Sequence, residues 1–264
     1  MMQSNSNICS DAHAPTASTR KGRGALRFCY TWLACLCLMA CSTQYNINGD
    51  SSVSTLDGRM LYLKAVTQDN SMENIDSCEV VHGKFTFMGT MDSICMGELT
   101  MDNISVMPVV IENGDVTIFI NEMEQRVVGG SLNNKLYQFL NARNQLENEI
   151  MELSSQEARA ILSGNSSIDL HFKLQEKMDK VYAKIERLEA NFVIDNSDNI
   201  LGRSFFMELC NRTPGPMLTP QMKHILKKAP AKFLRQPFVE NYVRAAEANH
   251  RFIQIGRASC RERV

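Results

Sequence analysis

The residues with the greatest chemical reach in this chain are its nine cysteines and sixteen methionines. Thiol–disulfide exchange needs a thiolate of lowered pKa with a resolving partner, usually as C-x-x-C at the start of a helix. No such pair occurs. Cys9 lies near the start, Cys29, Cys35 and Cys37 sit in an apolar leader, and Cys41 ends it. Cys260 falls in an aberrant tail, so Cys78, Cys95 and Cys210 are left for the body of the protein. These three read as small buried hydrophobes. A Cys78–Cys95 disulfide across an expected hairpin stays open, since the sequence alone does not decide it. Met88, Met91, Met96, Met101 and Met107 are the densest thioether run. Thioethers hold Cu(I), but the spacing is irregular and no histidine joins them, so core packing is the expectation. His82, His171 and His224 are isolated from one another, which is unlike the clustered ligands of a metal site. Glu122 and Glu124, beside Asn121, read as a solvated rim, because nothing nearby would raise one carboxyl pKa for acid–base work. Neither G-x-S-x-G, H-E-x-x-H nor a glycine-rich phosphate loop occurs. The expectation is therefore no catalytic residue, no metal site and no cofactor.

Lys plus Arg number 28 against 29 Asp plus Glu, and such a balance gives no reason to expect a nucleic-acid partner. The leader is more informative. Arg20, Lys21, Arg23 and Arg27 precede the apolar run Phe28 to Leu38, and Leu38-Met39-Ala40 leads into Cys41. The run is the length of a signal-peptide core and too short to span a bilayer. This pattern resembles the lipobox of bacterial lipoproteins. The resemblance implies cleavage before Cys41, acylation of its thiol, and attachment of the protein to a membrane by those chains. Ser42 follows without an acidic run, which in that family implies the periplasmic face of the outer membrane. Residues 1–40 are thus read as a signal peptide and Cys41 as the lipidation site.

The elements behind the anchor fall into two stretches. From Tyr45 to about Val128 the apolar residues alternate, with Asp57-Gly58, His82-Gly83 and Asn113-Gly114 as turn markers. Strands of this spacing predict an antiparallel β-sandwich or partly open barrel over 41–130. Helical periodicity then takes over in 131–254, so the fold class is α+β. Leu132, Leu136, Phe139, Leu140, Leu146, Ile150 and Leu153 form one stripe. Leu174, Met178, Val181, Ile185, Leu188 and Phe192 form a second, with steps of four and three. Ser154 to Ser167 interrupts them, so a helical hairpin is expected. Its seam is either internal or a homodimer contact. A third helix is expected over Asn196 to Cys210, capped by Ser197 or Asp198, with one or two more between Pro220 and His250.

Asp76-Ser77, Gly83-Lys84-Phe85-Thr86-Phe87, Gly89, Glu112-Asn113-Gly114 and Gly129-Gly130-Ser131-Leu132-Asn133 occur in this order. With the lipobox, they resemble the N-terminal domain of unknown function found in thioredoxin-like lipoproteins of Gram-negative anaerobes. The resemblance covers roughly residues 44–250. It implies that a thioredoxin or alkyl-hydroperoxide-reductase-like domain follows, and that any thiol–disulfide chemistry belongs there. Residues 255–264, IGRASCRERV, fit nothing before them. The codons ATC GGA AGA GCG TCG TGT AGG GAA AGA GTG encode them and read as a sequencing-library adapter. The expectation is that the natural sequence departs at about Gln254, before that domain. The alternative is a non-enzymatic lipoprotein that binds or scaffolds.

Overall fold

The computed structural model describes residues 43–66, 71–165 and 167–261. The expected signal peptide and Cys41 lie outside them, and so do residues 262–264 of the tail. Eight strands form two four-stranded sheets. The strands are β1 (Thr43–Ser51), β2 (Met60–Val66), β3 (Met72–Glu79), β4 (Lys84–Met91), β5 (Cys95–Met101), β6 (Ile104–Ile111), β7 (Gly114–Ile120) and β8 (Gln125–Val128). One sheet runs β4-β1-β7-β8, the other β3-β2-β5-β6. The alternation read from the sequence sets the inner faces. Leu61, Leu63 and Ala65 of β2 and Val116, Ile118 and Ile120 of β7 all point into one shared core. Phe85 and Phe87 join them from β4.

The α+β expectation is met, with the sheets open rather than closed into a barrel. One pairing departs from the antiparallel expectation: β1 runs parallel to β7, with Ile47 opposite Val116 and Ser51 opposite Ile120. The reason is in the crossings. His82 and Gly83, both at positive φ, close a tight turn, yet β3 and β4 separate into different sheets. Asn113-Gly114 likewise sends β6 across to β7. One hairpin within the second sheet is β5–β6, turned by Asp102 and Asn103 with φ of 51° and 63°; β2 and β3 also pair antiparallel there. Asp and Asn are the residues other than glycine that best tolerate this conformation.

The helices follow: α1 (Ser131–Leu162), α2 (Ile168–Asp195), α3 (Ile200–Asn211), α4 (Pro220–Lys228), α5 (Ala231–Leu234) and α6 (Pro237–Arg261). Helix α1 is longer than its stripe foretold. Ser154 to Leu162 stays helical, because an exposed face tolerates polar residues and Arg159 and Gln156 both bond Glu152. The stop comes at Gly164, φ 69°. There Asn165 N–H donates to Ala160 O and Gly164 N–H to Ile161 O, the two bonds of a Schellman end.

The hairpin buries its own seam. Leu153, Leu174, Met178 and Val181 form a small core separate from the main one, while Phe139 and Phe192 nearer the sheets join the main core. Helix α3 is capped one residue later than expected: Asn199, not Ser197 or Asp198, accepts from Leu201 N–H at 2.9 Å. Behind Pro220 there are three helices rather than one or two. Among the described residues no helix is long and apolar enough to cross a membrane.

Candidate functional site

The residues singled out for chemistry do not converge. Cys78, Cys95 and Cys210 all carry free thiols. Cys78 pairs with Leu61 on one side of β2, while β5, which carries Cys95, flanks the other side. Two strand spacings are about 9.5 Å before any offset along the strands, beyond the roughly 7 Å that a disulfide spans between Cα atoms. Burial pushes the Cys78 and Cys95 thiols up, and the Cys210 thiol up to about 12. These are the settings of inert thiols.

The methionine run is divided by the pleat. Met107 is buried in the core and Met88 is exposed. Cys95 and Met96 are neighbours on β5 and so project to opposite faces. His82 sits in the β3–β4 turn, His171 bonds Glu157 on the hairpin, and His224 lies on α4. Among the described residues no group of three or more His, Cys, Asp or Glu could hold a metal. Glu122 and Glu124 are exposed in the β7–β8 turn, where Asn121 Oδ1 accepts from the Met123 and Glu124 amides.

What sequence reasoning missed is a buried polar cluster at the start of α1. Glu112, at the end of β6, is 5 % exposed and Asn133 is fully buried. The Glu112 carboxylate accepts from Asn133 N–H at 2.8 Å, Leu132 N–H at 3.1 Å and Asn133 Nδ2 at 3.0 Å. A carboxylate from a neighbouring strand thus caps the helix, where the free amides and the positive end of the dipole favour a negative charge. Asn133 in turn meets β6 as another strand would: its Oδ1 accepts from Val110 N–H at 2.8 Å and its Nδ2 donates to Val110 O at 2.7 Å. One turn on, Tyr137 Oη donates to Pro108 O at 2.8 Å, and burial raises the Tyr137 pKa. Helix α1 therefore closes the outer edge of the second sheet. Gly130 makes room for it: φ is 75° and a Cβ there would fall 2.2 Å from Glu112 Oε1. The Glu112-Asn113-Gly114 and Gly129-to-Asn133 motifs are accounted for by this staple. The signal was present as an Asn three residues after a Gly-Gly pair, but nothing in the sequence says which strand it bonds.

Beyond the staple, α1 forms one wall of an open cleft of about 870 Å³. The other walls are the β7–β8 turn and α3, which presents Ser204 and Glu208. Asn141, Asn144, Gln145 and Asn148 line it at helical spacing, all exposed and none bonded to another described side chain. Phe139 and Phe205 lie at its base, 4.8 Å apart and edge to face. Arg143 Nε stands 3.1 Å from Glu147 Oε1, out of line for a hydrogen bond. Each carboxamide offers both a donor and an acceptor, so the cleft can grip an uncharged polar ligand. It contains Ser204 but no histidine or cysteine to activate it.

Two open sheets sharing a core, with the second sealed by a stapled helix, define an α+β domain. Residues 45–137 match the family model described as "Domain of unknown function (DUF4369)". That stretch ends on Tyr137, the second side chain of α1 that bonds β6. No curated protein matches the chain. The solved "Crystal structure of (S)-allantoin synthase" overlays on 38 % of this chain at 9 % identity and a TM-score of 0.24, too low to carry an argument. The overlay takes in 49 % of that chain.

Proposed function

We propose that this chain is the lipid-anchored, non-catalytic front portion of a periplasmic lipoprotein of the thiol–disulfide oxidoreductase type, held to the outer membrane through Cys41. The observation that carries the reading is the state of the thiols. Cys78, Cys95 and Cys210 are each pushed above the usual thiol pKa by burial, so redox chemistry in such a protein would belong to another domain. The lipobox pattern supports the anchor, and the family match over 45–137 supports the domain type. In this reading the described domain positions the reactive one, and a second copy would meet the hairpin at its exposed tip, since the seam is already buried. Labelled palmitate should enter the protein and be lost in Cys41→Ser. Purified residues 42–254 should reduce no insulin. Activity that disappears in Cys210→Ser would overturn the reading.

A second reading, a non-enzymatic binding module, is favoured by the carboxamide-lined cleft. A panel of neutral oligosaccharides and short peptides tests it. A ligand-dependent rise in Tm that vanishes in an Asn144→Ala, Asn148→Ala double variant would support it; no rise with any member would count against it.

A further inference from the structure

Strand β1 begins at Thr43, and in the sequence only Ser42 separates it from Cys41. Whatever is attached at position 41 is joined to the fold by about 7 Å of chain at full stretch. A tether that short keeps the end of the fold that carries Thr43 close to its anchor. The strand registers identify the end that carries Thr43. Thr43 pairs with Met91 at the end of β4, and residues 92–94 lead directly into β5. Cys95 pairs with Ile111, after which the chain turns at Gly114 into β7 beside Tyr45. Val66 and Met72 meet at the same end.

Resting on the lipid-anchor reading, we infer that this end of the sandwich lies on the bilayer surface and that the helical hairpin points straight away from it. The surface fits an uncharged lipid interface held by the anchor. Ile94 is 42 % exposed there and Met72, at the same end, 41 %, while the charged groups are the acidic Glu73, Asp92 and Asp115, with one cation, Arg203, lining the same hollow as Ile94. Acidic groups give anionic headgroups nothing to attract. The direction of the hairpin follows from the staple. Helix α1 starts beside Glu112 at the membrane end. It passes Val110 and then Pro108, travelling antiparallel to β6, and next runs beside the β7–β8 turn at the far end. At about 48 Å for 32 residues, it overshoots β1, which is about 30 Å for nine residues. The apolar tip, with Leu162 87 % exposed, is thus the part held farthest from the lipid.

The single tryptophan of the sequence, Trp32, precedes Cys41 and leaves with the leader, so residues 41–264 carry no tryptophan emission of their own. Ile94→Trp, Met123→Trp and Leu162→Trp are each made in the full lipidated protein and placed in phosphatidylcholine vesicles with brominated acyl chains. Flotation with the vesicles reads the anchor; quenching reads the placement. Ile94→Trp should lose at least half its emission, while Met123→Trp, in the far turn, and Leu162→Trp should keep theirs. Vesicle-bound protein in which Leu162→Trp is quenched as strongly as Ile94→Trp, or in which Ile94→Trp is unquenched, overturns the placement and leaves the anchor standing. Protein that fails to float overturns both.

Discussion

Replacing Asn133 with alanine tests the idea that α1 serves β6 as its missing neighbour. Val110 is fully buried, and Asn133 is the side chain that satisfies both its amide and its carbonyl. Removing the carboxamide leaves two buried backbone groups unpaired, at about 1–3 kcal/mol each. The third bond, to Glu112, is lost as well. A loss of about 4 kcal/mol is expected, which lowers a urea midpoint by roughly 1.5 M if the slope is near 2.5 kcal/mol per molar. Urea unfolding of residues 42–254, followed by far-UV circular dichroism, measures it. Asn133→Asp separates hydrogen bonding from shape. It keeps one acceptor, loses the donor and sets a second carboxylate against Glu112, so its loss should shrink as acid protonates one of the two. A loss below about 1 kcal/mol in Asn133→Ala, the worth of one ordinary hydrogen bond, would refute the stand-in role.

Two glycines at nearly the same φ make a matched pair. Gly130→Ala, aimed into the Glu112 carboxylate, should cost at least about 2 kcal/mol, whereas Gly164→Ala, with nothing within 4 Å, should cost only the roughly 1 kcal/mol of backbone strain; their Tm values compare them. Glu189, 3 % exposed, accepts from Arg212 through both oxygens at 2.8 and 2.9 Å, so Arg212→Met should destabilise by about 3 kcal/mol, reduced to the extent that Gln221 keeps its bond at 2.9 Å. The Cys210 thiol should alkylate far more slowly than free cysteine at pH 8, and unfolding in urea should restore the ordinary rate. Because its folded pKa lies above the unfolded one, the unfolded chain binds fewer protons above about pH 9. Stability should therefore fall as pH rises from there towards 12, and Cys210→Ala should flatten that slope.

The sequence made the order of elements legible wherever local chemistry decides them. Alternation in β2 and β7 and the two helical stripes set which faces are buried. The Gly164-Asn165 pair marked the break between the two helices, though α1 runs on past Ser154 to reach it. Local signals also misled. His82-Gly83 and Asn113-Gly114 report positive φ, but positive φ does not say whether the chain returns beside itself or crosses to another sheet. Asp102-Asn103, which lacks the glycine, made a tight hairpin within one sheet. The parallel β1–β7 pairing joins residues some seventy positions apart, and no periodicity encodes that. The cleft has the same character: Asn141, Asn144, Gln145 and Asn148 look like any solvated helix face until α3 and the β7–β8 turn are set against them.

The edge that α1 covers has a consequence for how the chain is made. Until Asn133 and Tyr137 arrive, β6 offers a row of open amides and carbonyls beside Val109, Val110 and Ile111, the kind of bare template on which chains stack into fibrils. A nascent chain that has emerged only through β8 carries that hazard, as does a proteolytic fragment cut after Val128. The first two turns of the helix are what remove that template from β6.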